Sequence, residues 1–155
     1  MNDIFEAILT KDLFLLSQIL NAGCDVNVQD EDGRTALMEA VIDNNVEIVK
    51  LLIQFGADVN KQDYLAETSA LHFAAQNNSS ELVELLLENQ AEVELEDVHG
   101  NTPLSDAVFN SRGEGDVIKI LLLHGSDQNK KNKHGISPLN LAESIANYNI
   151  INYFK

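Results

Sequence analysis

The chain has 155 residues, 45% of them hydrophobic, with only eight glycines and two prolines, which suits one folded domain rather than a disordered chain. Its formal charge is −15: residues 1–100 hold 20 acids against 4 bases, a net of −16, and residues 101–155 hold 5 acids against 6 bases, a net of +1. So strong a negative field repels phosphate backbones and anionic lipid, which argues against nucleic acid and membrane as partners and for a protein with a basic surface.

No apolar run approaches the roughly 18 residues of a membrane span. The longest, Leu13 to Leu16 and Ile120 to Leu123, are four residues each. The N-terminus carries acids where a secretory signal would carry bases, and Cys24 has no second cysteine to pair with. A cytoplasmic location is therefore expected, with secretion as an effector left open.

Taken in chain order, the sequence repeats itself. Four stretches read GCDVN from Gly23, GADVN from Gly56, QAEVE from Gln90 and GSDQN from Gly125, with starts 33, 34 and 35 residues apart. Seven residues after each start comes a second pattern: DEDGRTALMEA from Asp30, DYLAETSALHFA from Asp63, DVHGNTPLSDA from Asp97 and NKHGISPLNLA from Asn132. Leu-rich segments follow each one, VEIVKLLIQF, ELVELLLEN and DVIKILLLH, with IINYF closing the chain. Upstream, Ile4 and Ala7 stand 33 residues before Leu37 and Ala40.

Each unit thus predicts a tight turn and two short helices. In the second unit these run from about Thr35 to Asp43 and from about Val46 to Phe55. Leu37, Ala40 and Val41 on the first, and Ile48, Val49, Leu51 and Leu52 on the second, fall at helical spacing. Ala40, Ala74, Ala107 and Ala142 share one position, where a methyl group lets the next helix approach. Such helices are too short to stand alone in water, so stacking on neighbours must bury their apolar faces.

These residues resemble the ankyrin repeat, with its Thr-Pro-Leu-His stretch, its Leu-Leu helix and its Gly-Ala-Asp-Val-Asn close. The resemblance runs from Ile4 to Phe154 and implies an all-α solenoid of stacked helix-turn-helix units with β-turn fingers. Five units are expected, 1–29, 30–62, 63–96, 97–131 and 132–155, the outer two acting as caps. Three departures stand out. Ala66 replaces the turn glycine of Gly33, Gly100 and Gly135, with one extra residue placed between Thr68 and Leu71. Gln90 replaces a helix-ending glycine, and two extra residues fall between Ala107 and Val117.

Candidate chemistry is thin. The resemblance makes His72 a hydrogen-bonding tie between neighbouring turns, and it makes Asp25, Asp58, Glu92 and Asp127 turn-shaping acids. His99 and His134 hold equivalent places on consecutive turns, but helices stacked roughly 8–10 Å apart leave them poorly placed to share a zinc ion. His124 is read as a solvated residue at a helix end, and Cys24, at the position of Ala57, as a small packed thiol. No metal or other cofactor is expected. With no nucleophile elbow, phosphate loop or dinucleotide fingerprint, an enzyme is the least favoured reading. Glu81, Glu84 and Glu88 form a stripe expected to face solvent.

The resemblance implies that partners bind a concave surface made of turn tips and the exposed side of each first helix. On this chain those positions are Glu31, Asp32, Arg34, Ile42, Tyr64, Leu65, Glu67, Gln76, Val98, His99, Asn101 and Phe109. Tyr64, Leu65 and Phe109 are the expected anchors, since aromatic groups set among polar ones dominate interface energetics. The function expected is that of a monomeric adaptor or inhibitor of a basic protein. A bacterial effector acting on a host protein is the alternative.

Overall fold

The computed structural model describes residues 3–145 and 149–154. Helices run in pairs: α1 (Asp3–Thr10) with α2 (Leu13–Asn21), α3 (Ala36–Ile42) with α4 (Val46–Gln54), α5 (Ala70–Gln76) with α6 (Ser80–Glu88), and α7 (Pro103–Phe109) with α8 (Asp116–Leu123). A last helix, α9 (Pro138–Ser144), is followed by a short 3₁₀ helix, Ile150–Phe154, where the repeat predicts a second α-helix. The first helices pack in the order α1, α3, α5, α7, α9, and among the outer ones α6 packs on α8. The fold is an all-α repeat solenoid.

Local chemistry sets the helix limits. Thr35 caps α3 by accepting from the Met38 amide at 3.2 Å, and Asn45 caps α4 by accepting from Ile48 at 3.2 Å. Ser69 does the same for α5 in a reciprocal box with His72. Ser69 therefore occupies the place of Thr35, Thr102 and Ser137. The extra residue of the third unit lies in the turn before it, not between Thr68 and Leu71 as the sequence suggests. The turn closes from the Asp63 amide to the Thr68 carbonyl at 3.0 Å, and Glu67, not Ala66, takes the left-handed conformation (φ 54°) that Gly33 takes with φ 79°. Gln90 likewise adopts φ 69° where Gly56 and Gly125 stand, at a cost of roughly 1–2 kcal/mol for a residue with a Cβ.

One core runs the length of the stack. Ile4, Ala7, Leu37, Ala40, Leu71, Ala74, Leu104, Ala107 and Ala142 line its inner side, all buried. Ile48, Leu82, Ile118 and Leu121 fill it from the outer helices. Polar ladders cross from unit to unit along its edge. The Asn27 carboxamide accepts from the Asp58 amide at 2.7 Å and donates to the Gly56 carbonyl at 3.2 Å. Asn60 repeats both bonds one unit on, to Glu92 and Gln90. Asp25, Asp58 and Asp127 shape their turns by accepting from the amides of Asn27, Asn60 and Asn129. Glu92 gives its amide to Asn60, as Asp58 gives its own to Asn27.

Candidate partner-binding surface

The finger turns are held by a carboxylate or carboxamide at their base. Asp30, Asp63, Asp97 and Asn132 each accept two backbone amides from their own finger, at 2.8–3.2 Å. Neighbouring fingers are then joined by one backbone bond each: Tyr64 to Asp32 (2.9 Å), Val98 to Ala66 (2.8 Å) and Lys133 to His99 (2.9 Å). Two isolated bridges, Gln29–Thr35 and Gln62–Ser69, are the nearest approach to a hairpin among the described residues. His72 ties this layer to the helices. Its Nδ1 accepts from the Ser69 amide and hydroxyl, so Nε2 carries the proton and donates to the Asn101 carbonyl at 3.1 Å. Burial holds its pKa below the ordinary histidine value, which keeps the ring neutral for that role.

On this frame the twelve anticipated positions separate into two groups. Tyr64, Leu65 and Phe109 are 67%, 64% and 73% exposed, far more than a packed residue would be. Glu31, Asp32, Glu67, Gln76, Val98 and His99 are exposed as well, and Ile42 is half-buried. Arg34 and Asn101 are not free surface. Arg34 pairs with Glu39 at 3.1 Å and lies 5.6 Å above the Phe73 ring. The Asn101 side chain donates to Asp97 at 3.3 Å and accepts from Asn132 at 2.7 Å. Tyr64 is also tied to the scaffold, because its ring covers Gly33 and its hydroxyl donates to Gln29 at 3.2 Å.

Leu9, Ile42, Gln76 and Phe109 occupy one repeat position on α1, α3, α5 and α7 and form a row along the first helices. Leu9, 76% exposed, belongs to this row and extends it onto the first unit. There a groove of about 610 Å³ opens between α1, α3 and the first finger, lined by Phe5, Leu9 and Val28 together with Glu31, Asp32 and Glu39. The positions that the resemblance implies begin at Glu31, and the α1 side of this groove lies beyond them. Its signal was present: Leu9 falls outside the buried Ile4, Ala7, Ile8 stripe of α1. Charge is graded along the tips, from Glu31 and Asp32 to Lys133 and His134.

A second cleft, of about 310 Å³, lies between α7 and α9, with Asp106, Phe109, Ile136 and Leu141 among its walls. Asp106 accepts from Gln76 at 3.2 Å. Burial pushes its carboxyl up to about 7, the nearby Asp97 charge adding to the rise and the Gln76 bond opposing it.

The His99 and His134 rings approach to 6.0 Å between centroids, closer than helix spacing alone suggests. No group of three His, Cys, Asp or Glu side chains able to hold a metal ion occurs among the described residues. Cys24 is half-buried against the core, and His124 is exposed with Nδ1 2.8 Å from the Ile120 carbonyl. Glu81, Glu84 and Glu88 are exposed on α6, where Lys50 reaches Glu81 at 3.9 Å. No helix of the described residues is long and apolar enough to cross a membrane.

Stacked helix pairs that present one continuous face of finger tips and first helices define a repeat scaffold for recognition. The chain belongs to the ankyrin-repeat family: the family profile, ankyrin repeats in three copies, matches residues 4–97 and 56–132. Over 139 residues, 86% of this chain, it is 34% identical to the ankyrin repeat protein FPV031 of fowlpox virus (strain NVSL), of which it spans 40%. It is 40% identical over 86 residues to serine/threonine-protein kinase 12 of Arabidopsis thaliana, covering 54% of this chain and 17% of the kinase. With the human 2-5A-dependent ribonuclease it shares 41% identity over 70 residues, 44% of this chain and 9% of that protein. The chain therefore spans less than half the length of each of these relatives. Ankyrin repeats are protein–protein interaction modules, and this chain carries one.

Proposed function

We propose that the chain holds a protein with a basic surface patch on the face formed by its finger tips and first helices, as an adaptor or inhibitor in the cytoplasm. The observation that carries this reading is the exposure of Tyr64, Leu65 and Phe109 on a face rimmed by Glu31, Asp32 and Glu67. Large apolar side chains left in water within a charged rim are the usual composition of a protein-binding patch. The acidic field steers encounter and the anchors set residence.

The test is capture from a native cell extract on immobilised protein at low and high salt, followed by binding kinetics on the captured partner. Salt should slow association, since the field is screened beyond roughly 8–10 Å at physiological ionic strength. Tyr64→Ala and Phe109→Ala should instead speed dissociation. If both variants bind normally while neutralising Glu81, Glu84 and Glu88 abolishes binding, the outer stripe is the site and this reading fails.

A further inference from the structure

The second and fourth units carry a carboxylate at the same repeat position, Glu39 and Asp106, each four residues after its cap, Thr35 or Thr102. In the second unit the chain supplies its own counter-charge. Arg34 Nη1 sits 3.1 Å from Glu39 Oε1, and its guanidinium lies over Phe73 of the next unit. In the fourth unit Asn101 stands where Arg34 stands, and its shorter side chain turns away to Asp97 and Asn132. Leu141 stands where Phe73 stands. What remains in place of the arginine is the cleft of about 310 Å³, with no cationic side chain among the described residues that line it. Phe109, one helical turn past Asp106, is 73% exposed at this site.

We infer that the cleft between α7 and α9 is a socket for an arginine side chain of the protein partner, with the guanidinium on Asp106 and its stem along Ile136 and Leu141. The internal precedent is a guanidinium, and the planar fork matches a carboxylate in two bonds where an ammonium makes a point contact. Phe109 offers the aromatic surface that Phe73 offers to Arg34. The raised pKa of Asp106 fits a carboxyl whose charge burial and the Asp97 carboxylate both oppose. This socket rests on the proposed partner-binding reading and adds the chemical group recognised.

The experiment is a titration of the full chain with n-butylguanidinium, followed by amide and carboxyl NMR shifts in mildly alkaline buffer, with n-butylurea as the neutral isostere. Saturable shifts should centre on Asp106, Phe109 and Leu141, and n-butylurea and the Asp106→Asn variant should bind at least about tenfold more weakly, the scale of one charge-assisted contact. Asn101→Arg should fill the socket from within and block the probe. Equal shifts in wild type and Asp106→Asn, or shifts spread alike over Glu31, Asp32 and Glu67, would overturn the socket and leave only diffuse attraction. The wider reading is separable. If Asp106→Asn keeps wild-type kinetics on the captured partner while Phe109→Ala dissociates faster, the face stands and the socket falls.

Discussion

Two tyrosines lie across glycines at opposite edges of the stack, and they are held in different ways. Tyr64, on the finger edge, covers Gly33 with its ring, and its own amide is bonded to the Asp32 carbonyl at 2.9 Å, so backbone and side chain both press on the glycine. Tyr153, on the outer edge, covers Gly115 with its ring alone, its hydroxyl donating to the Gly113 carbonyl at 3.4 Å and Lys119 Nζ lying 4.8 Å from its ring centroid. Gly33 has φ 79°, while Gly115 has φ −109°, which any residue accepts. The finger contact is therefore built into the backbone of the repeat, and the outer one is a side chain laid over an inserted loop.

The core between these edges sets the scale. Leu71 is 1% exposed on α5, between the first helices on either side, so Leu71→Ala should cost about 2–5 kcal/mol in urea unfolding. Gly33→Ala comes next. A methyl group there would sit 2.5 Å from the Tyr64 nitrogen and overlap its ring, in a conformation that alone costs about 1–3 kcal/mol. Gly115→Ala should cost about 1–2 kcal/mol, because Tyr153 can rotate off the loop at the expense of a weak cation–π contact, a long hydrogen bond and part of its packing against the core. Its signature is a change in the Tyr153 ring resonances with a smaller drop in melting point than Gly33→Ala causes. If Gly115→Ala proves as damaging as Gly33→Ala, the two edges are equally rigid and the contrast fails.

Much of this was legible in the sequence because a repeat averages over its own copies. The α3 and α4 limits, the buried alanine column and the left-handed Gln90 all follow from positions compared across units. What resisted reading is what one unit does to the next. The extra residue of the third unit reads as lying between Thr68 and Leu71, and only the backbone closing from Asp63 to Thr68 puts it in the turn before Ser69. Arg34 and Asn101 look like free tip residues until the third dimension brings Phe73 and Asn132 beside them. Tyr64 reads as a spare aromatic because nothing in its own unit needs it. The glycine it covers is 31 positions earlier in the chain.

That last misreading gives the smallest and most discriminating test. Tyr64→Phe keeps the ring over Gly33 and removes only the hydroxyl bond to Gln29, an exposed contact worth about 0.5 kcal/mol net. Tyr64→Ala uncovers the glycine as well, so it should lower stability more than Tyr64→Phe while leaving the Leu71 core intact. Partner binding need not follow the same order. An anchor acts through its ring, so Tyr64→Phe should retain the wild-type dissociation rate and Tyr64→Ala should not. A Tyr64→Phe variant that folds normally yet releases the partner quickly would place recognition on the hydroxyl. In that case Gln29, which holds that hydroxyl, becomes part of the binding face, and the finger edge recognises by hydrogen bonding rather than by apolar contact.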